Sequence, residues 1–303
     1  DCYLIAPATA NTIAKMATGV ADNLLQLVKF TREGGKDVII ANFQAHPQLT
    51  GGAKNYNLSA DYPGVFREVL GAQLNCHVHF LQGACGNINP KSRLARENYT
   101  VKHRVHGARL AYYALKCLEN NMLEATPGPI KTKQIIYRGK INHTLDYLVD
   151  RAQEIIDLHA KTGDRELCMR VGAAYGIDSP NMATFIIIKS RAAEYFDMEL
   201  NAITVGDHLA LVTAPNELFD TNACYTEANS PYTLTMTCGY SNGHYFYIPS
   251  KYGYEYRCYE SNCSRMYPGT GEVYSEIFLK MLKILIVLLE KLMVKVFFKD
   301  QEF

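Results

Sequence analysis

The sequence predicts an α/β protein with mixed sheets and flanking helices. Apolar runs of strand length alternate along the chain with segments of helical periodicity, which is typical of that class. The chain has 303 residues, of which 48% are hydrophobic and 20% are charged, an ordinary globular composition. No internal repeat or low-complexity tract interrupts the pattern. We therefore expect one large domain or two small ones with a substantial core.

Charge and cysteine content exclude several functional classes. The formal net charge of +1 predicts no strong attraction to nucleic acid or anionic lipid. The nine cysteines are odd in number and lack any CxxC spacing, which favours reduced thiols in a cytosolic-type compartment. No signal peptide is visible, but the chain opens on Asp1 without an initiator methionine. We therefore expect a truncated start, which leaves the localisation open.

The chain opens with one βα unit. The run "CYLIAP" has strand character, and "TANTIAKMATGVADNLL" places apolar residues at helical spacing. A helix that begins at Thr9 or Asn11, directly after a strand, would present free backbone amides to an anion. A plain βα unit without a ligand is the alternative interpretation.

Four further elements are predicted in the first half of the chain, after which a turn-rich stretch marks a linker. Strands are expected over 37–44 and from His77 onward, and helices over 65–74 and 101–121. The stretch "ATPGPIK" at 125–131 is the predicted linker, because its proline and glycine residues break regular structure.

The second half is expected to continue the α/β pattern to a terminal helix. A strand is predicted over 132–138, a helix over 145–162, and two strands over 182–192 and 198–215. The final segment, 276–303, is very apolar but carries several lysines, so no stretch reaches the roughly 20 apolar residues of a membrane span. We expect an amphipathic helix that packs on the body and no transmembrane segment.

Two loop positions combine a strand end with a polar or metal-binding side chain. His46 follows a buried strand and is fixed in direction by Pro47, although a lone histidine is more often a packed residue than a ligand. Glu217 follows an apolar strand, where a carboxylate is costly unless it is exposed, paired or bound to a cation.

Two more segments add candidates of the same kind. The turn "QGACGNINP" contains Gly83 and Gly86, which allow the backbone to turn tightly and expose amide donors, or mark only a glycine-rich strand exit. The segment "CGYSNGHYFYIPS" crowds His244, Tyr245 and Tyr247 around a turn, where packing is the alternative role. Histidine, glutamate and tyrosine are ligand types for zinc with an open position.

A second source of nitrogen ligands competes with these residues. His77 and His79 alternate along one strand and so face the same side. Because "CHVHF" lies in an apolar run, we expect both imidazoles to be buried.

Four quoted segments resemble, in their order along the chain, the amidohydrolase domain of the neutral or alkaline ceramidases. They are "NFQAHPQ", "FLQGACGNINP", "VGDHLALVTAPNELF" and "YSNGHYFYIPSKYGYEYRCYE", and the resemblance spans about 27–275. It implies a zinc-dependent hydrolase of N-acyl amide bonds, with a lipid-like or small N-acyl amide as substrate. It also implies zinc ligation by His46, Glu217 and Tyr247.

The resemblance also implies the roles of the glycine-rich turn and of the tyrosine. Tyr247 would lie near the developing oxyanion, and the turn containing Gly83, Gly86 and Asn89 would donate backbone amides to it. Asn89 stands where the characterised ceramidases have a serine, so a serine-centred role is absent. The family's first zinc-ligand histidine lies upstream of "NFQAHP", in a portion that this chain does not contain, so weakened zinc binding is expected unless His244 substitutes.

The opening segment resembles a different family. "APATANTIAKMATGVADNLL" is similar to the FMN-binding flavoproteins of the phosphopantothenoylcysteine decarboxylase type. The resemblance implies flavin contacts from the turn at Thr9, Ala10, Asn11 and Thr12. A single βα unit cannot form a flavin crevice, so FMN binding by this fragment alone is not expected.

The sequence therefore predicts a joined chain. Its parts are a flavoprotein-like fragment over 1–26, a truncated ceramidase-like domain over 27–275 with a sub-boundary near 125–131, and a terminal helix over 276–303. The main functional hypothesis is a zinc-dependent amide hydrolase. The alternatives are an FMN-binding decarboxylase-type flavoprotein and a catalytically silent fragment or binding body. The substrate and the oligomeric state remain open.

Overall fold

A computed structural model describes the greater part of the chain. It covers residues 2–4, 25–50, 58–90, 102–120, 122–125 and 128–299, and for 2–4 and 289–299 it describes the backbone alone. The flavin-contact residues implied by the opening segment lie outside the described residues; they are Thr9, Ala10, Asn11 and Thr12.

Strands and helices alternate through the described residues, as the sequence predicts. The strands are β1 Cys2–Leu4, β2 Gln26–Phe30, β3 Val38–Phe43, β4 His77–Gln82, β5 Leu123–Ala125, β6 Ile130–Lys140, β7 Tyr195–Val205, β8 Leu209–Thr213, β9 Glu217–Leu218, β10 Leu234–Cys238 and β11 Tyr247–Ile248. The helices are α1 Asp61–Leu74, α2 Lys102–Asn120, α3 Val149–Thr162, α4 Arg165–Ala173, α5 Pro180–Ser190, α6 Asp220–Ala228, α7 Lys251–Glu255, α8 Tyr259–Cys263 and α9 Thr270–Lys299. The α/β class is confirmed.

The strands form two larger sheets and one short ribbon, all of mixed or parallel pairing. The first sheet has the order β4-β3-β2-β1-β5, and the second has the order β10-β8-β7-β6. Each contains one parallel pair, β3 with β4 and β8 with β10, while the other described pairs are antiparallel. The ribbon pairs β9 with β11 in parallel. Strand β1 thus lies inside the first sheet, between β2 and β5.

The two sheets pack face to face, and helices cover their outer faces. Alternation along β2 sends Leu27 into the core beneath α1 and α2, and Val28 into the core between the sheets. On the outer face of the second sheet, Leu200 packs in a third core with Phe278 and Leu282 of α9. Complete burial of each such side chain contributes about 1.5–3 kcal/mol. The result is a layered helix-sheet-sheet-helix arrangement.

The segment 182–192, predicted as a strand, is a helix, and that prediction was wrong. Helix α5 begins after Ser179, whose side chain accepts a hydrogen bond from the Met182 amide, and Pro180 occupies the first helical position. Ile186 and Ile187 pack against α3 and α4 in a separate helical core. A continuous apolar run fits a buried helix as well as a buried strand, and here the start signal decides between them.

The expected burial of His77 and His79 was also wrong. Both are exposed, because β4 is the edge strand of the first sheet and their face is not covered there.

Helix α1 begins at Asp61, earlier than predicted, and the terminal helix begins at Thr270. Across the part of the chain that the structure describes, no helix is long and apolar enough to cross a membrane.

Candidate functional site

The candidate site centres on the buried carboxylate of Glu217. Its Oε1 lies 2.9 Å from Nε2 of His244, and its Oε2 lies 3.3 Å from Nε2 of His46. The Glu217 side chain is 8% exposed, that of His46 13%, and that of His244 54%. The structure therefore brings together one carboxylate and two imidazoles from three separate segments, one of which is open to solvent.

His46 is positioned by the end of β3 and the glycine-rich turn. Its backbone amide donates to the carbonyl of Ile88 at 3.0 Å, which ties the loop after β3 to that turn. Its Nδ1 lies 3.4 Å from the hydroxyl of Tyr240. With one ring nitrogen near a tyrosine and the other near Glu217, the imidazole has a defined orientation.

Glu217 is held by the short parallel ribbon. It stands opposite Tyr247 in the register of β9 and β11, and its amide donates to the carbonyl of Phe246 at 2.9 Å. Burial, and next the charge of Glu217, raise the pKa of the Tyr247 hydroxyl well above its ordinary value. The three predicted ligand residues, His46, Glu217 and Tyr247, therefore lie in one place.

The loop over 239–246 supplies the remaining contacts. Tyr240, Asn242 and Phe246 adopt positive φ angles of 53°, 60° and 64°. Asparagine adopts this left-handed conformation comparatively often, but for the aromatic residues Tyr240 and Phe246 it is uncommon and costs about 1–3 kcal/mol each. The Tyr240 amide donates to the carbonyl of Asn216 at 3.1 Å, which helps to hold the loop in this shape. Three of the six non-glycine residues with positive φ in the described ranges therefore lie in this loop.

The glycine-rich turn packs against the site through its backbone. The amide of Gly83 donates to the carbonyl of Phe43 at 2.9 Å, and that of Gly86 donates to the carbonyl of Leu218 at 2.8 Å. Asn89 accepts a short hydrogen bond from Gln48. Both glycine amides are thus engaged within the protein, and their role as oxyanion donors stays a prediction that requires these bonds to open.

Two residues of the site were missed in the sequence. The hydroxyl of Tyr240 approaches His46, and burial raises its pKa far above the ordinary value. Cys85 is fully buried in the glycine-rich turn, where burial raises the pKa of its thiol to about 12. Both lie in segments that the sequence singled out. Their own positions carry no signal, because tyrosines are numerous and an isolated cysteine is ordinarily a packed residue.

The side chains around Glu217 meet some of the requirements of a zinc ion and not others. Glu217 Oε2 is buried, and it lies 3.3 Å from Nε2 of His46 without hydrogen-bond geometry. Imidazole and carboxylate are zinc ligand types, and Tyr247 adds a phenol oxygen beside them. Within the described ranges, however, no three His, Cys, Asp or Glu side chains stand at metal-binding spacing, and both imidazoles contact the carboxylate directly. The residues fit zinc in kind, and binding requires the imidazoles to turn away from Glu217.

Comparison with solved structures places the fold. The structure is similar to neutral ceramidase from Pseudomonas aeruginosa, with a TM-score of 0.63 and 16% sequence identity over 95% of this chain and 50% of that chain. A second similar structure, described as a ceramidase complexed with C2, gives a TM-score of 0.61 and 16% identity over 91% of this chain and 50% of that chain. The chain has a ceramidase-like fold and spans about half the length of these proteins.

Sequence comparisons concern the start of the chain. A family described as Flavoprotein matches residues 1–48. A protein named cysteine/cysteine sulfinic acid decarboxylase, from an unknown prokaryotic organism, is 84% identical over 25 residues, which are 8% of this chain and 7% of that protein. Similarity to flavoproteins is therefore found, and it is confined to a short segment.

Proposed function

We propose that the chain is a zinc-dependent hydrolase of N-acyl amides. The observation that carries this proposal is the buried carboxylate of Glu217, whose two oxygens lie 3.3 Å from His46 and 2.9 Å from His244. The ceramidase-like fold supports it, because the solved neighbours are named for cleavage of an amide lipid. The proposed ligands are His46, Glu217 and Tyr247, with His244 in place of the missing family histidine.

The chain's own residues would orient the substrate and stabilise charge. When bound, zinc would act as a Lewis acid and would lower the pKa of its bound water to near neutrality. Tyr240 keeps the His46 ring in orientation, and the Tyr247 hydroxyl beside Glu217 donates a hydrogen bond toward the carbonyl oxygen as charge develops there. Water adds to the carbonyl carbon, one of its protons passes to the amide nitrogen, and the C–N bond breaks to give a carboxylic acid and an amine.

The first experiment is elemental analysis for zinc on purified, dialysed protein. We expect near-stoichiometric zinc, with at least about tenfold weaker affinity in His46→Ala and Glu217→Gln because each removes one ligand. His159→Ala changes an exposed histidine on α3 and is the matched control. Zinc content that is the same in all four proteins, or absent from the parent protein, contradicts the proposal and favours a catalytically silent binding body.

FMN binding is a second candidate function, because a flavoprotein family model matches residues 1–48. A visible absorbance scan of the same sample tests it, since a bound flavin is coloured. In doubly wound folds a flavin binds where parallel strands end. Strand β1 is antiparallel to both β2 and β5, which favours the hydrolase. A flavin band that survives dialysis would reverse this preference.

A further inference from the structure

A groove of about 500 Å3 lies on the second sheet. We call it the amide groove. Its lining comes from β6, β7, β8 and the loop over 239–246: Thr132, Lys133, Gln134, Asn201, Ala202, Ile203, Thr213, Ser241 and Asn242. The same loop carries Tyr240 and His244, which contact the site residues. The amide groove and the candidate site therefore share one loop.

Six of the nine residues that line the amide groove carry a carboxamide or a hydroxyl, and several of these groups are ordered by hydrogen bonds to one another. Gln134 donates from Nε2 to Oδ1 of Asn201 at 3.2 Å. Asn201 in turn lies 3.3 Å from the hydroxyl of Thr213. These residues are neighbours in the register of β6, β7 and β8, so the sheet fixes their spacing. A ligand would meet a preorganised row of donors and acceptors.

A carboxylate adjoins this row. Glu199 accepts hydrogen bonds from Asn201 at 2.8 Å and from Asn242 at 2.6 Å. These amide donors lower the pKa of the Glu199 carboxyl, with that of Asn201 having the largest effect. A charged acceptor of this kind strengthens hydrogen bonds to hydroxyl groups.

We propose that the amide groove binds a polyhydroxylated group, and that it holds the amine portion of the substrate of the adjoining site. This inference rests on the proposed amide hydrolase for the link to the substrate, while binding itself does not depend on hydrolysis. Vicinal hydroxyls both donate and accept, which matches the alternating groups of Gln134, Asn201 and Thr213. An alkyl chain in the same place would remove those polar groups from water without replacing their hydrogen bonds. The substrate class is therefore an N-acyl amide of an amino sugar or amino polyol.

The test compares two amides that have the same acyl chain. N-hexanoylglucamine carries a polyol on the nitrogen, and N-hexylhexanamide carries an alkyl chain. Titration calorimetry on the full, metal-free chain measures binding without turnover. We expect the polyol amide to bind at least about tenfold more tightly, and Asn201→Leu to remove most of that preference because it keeps the branched shape of the side chain and deletes its hydrogen bonds. Gln153→Leu, which changes an exposed carboxamide on α3, should leave the preference intact.

Binding and hydrolysis are scored separately. Equal binding of the two amides, or a preference that Asn201→Leu leaves unchanged, overturns the proposal. A preference that depends on Asn201 supports it. If neither amide is then cleaved by the zinc-loaded protein, the hydrolase proposal fails while the amide groove stands. If both are cleaved and bound equally, the hydrolase proposal stands and the amide groove fails.

Discussion

Glu227 is a single residue whose protonation is tied to the packing of the two sheets. Gln26 of β2 donates from Nε2 to Oε2 of Glu227 at 3.2 Å, which links the first sheet to helix α6. The residue is partly exposed at the end of that helix, but its Oε1 is buried and has no hydrogen-bond partner among the described residues. Burial raises the pKa of this carboxyl from its ordinary 4.5 to about 7.

This shift predicts a loss of stability with rising pH. The folded pKa lies above the unfolded value, so the contribution of Glu227 is fully present below about 4.5 and is lost as the pH rises through about 7. We expect Glu227→Gln to stabilise the protein by on the order of 1–3 kcal/mol at alkaline pH, with a much smaller effect at acidic pH. Urea denaturation across this pH range measures it. Glu68→Gln, an exposed change on α1, is the control, and parallel pH profiles for wild type and Glu227→Gln would contradict the assignment.

Gly86 gives a second prediction at the scale of one residue. A Cβ at this position would lie 2.7 Å from the Glu217 carbonyl oxygen and 2.9 Å from that of Leu218. Since these are backbone atoms that cannot rotate away, we expect Gly86→Ala to lower the free energy of unfolding by about 1–3 kcal/mol. At Gly35 an added Cβ meets only the end of the Arg32 side chain, at 3.3 Å, so Gly35→Ala should change stability little. Thermal denaturation, followed by circular dichroism, compares the two variants. Equal losses of stability would refute the steric argument.

The site was predictable where a polar side chain directly follows an apolar strand. His46 and Glu217 were found in this way, and the structure places their side chains 3.3 Å apart. Tyr240 was not found, because its place in the site depends on a backbone conformation with positive φ. A tyrosine rarely adopts that conformation, so its residue type does not predict it. The solvent exposure of His77 was missed for a related reason, since a sequence does not say which strand forms the edge of a sheet.

At the scale of elements, α5 shows how a local start signal outweighs an ambiguous apolar run. Ser179 caps the helix by accepting from the Met182 amide at 3.2 Å, and Pro180 cannot donate and so fits the first turn. The helix also carries Lys189, whose buried ammonium donates to the carbonyl of Asn262 at 3.3 Å. Burial lowers the pKa of Lys189. The element is therefore joined to α8 as well as to its helical neighbours.

The cap predicts a measurable cost. Ser179→Ala leaves the Met182 amide without its acceptor, and we expect a loss of about 1 kcal/mol in the free energy of unfolding by urea. Ser179→Thr keeps a hydroxyl in the same place and should recover most of that loss. A Ser179→Ala protein as stable as the wild type, or equal losses in both variants, would contradict the assignment of the cap.

The whole molecule depends on pairings between residues that are distant in sequence. Alternating strands and helices were sufficient to predict the α/β class, which the structure confirms. The order of strands was not predictable, because β1 lies between β2, which follows it closely in sequence, and β5, which lies more than a hundred residues further along the chain. The predicted boundary at 26–27 stays a prediction, although the pairing of β1 with β2 joins the two sides of it through backbone hydrogen bonds.

The loop over 239–246 has a consequence for how such a protein changes over generations. It contributes Asn242 to the amide groove and His244 to the Glu217 carboxylate. An insertion or deletion in this loop would therefore be inherited as a change in both places at once. Descendants of this chain can change the strands beneath the amide groove independently of the Glu217 carboxylate. Changes in this loop are instead selected for their effects on the amide groove and on the carboxylate together.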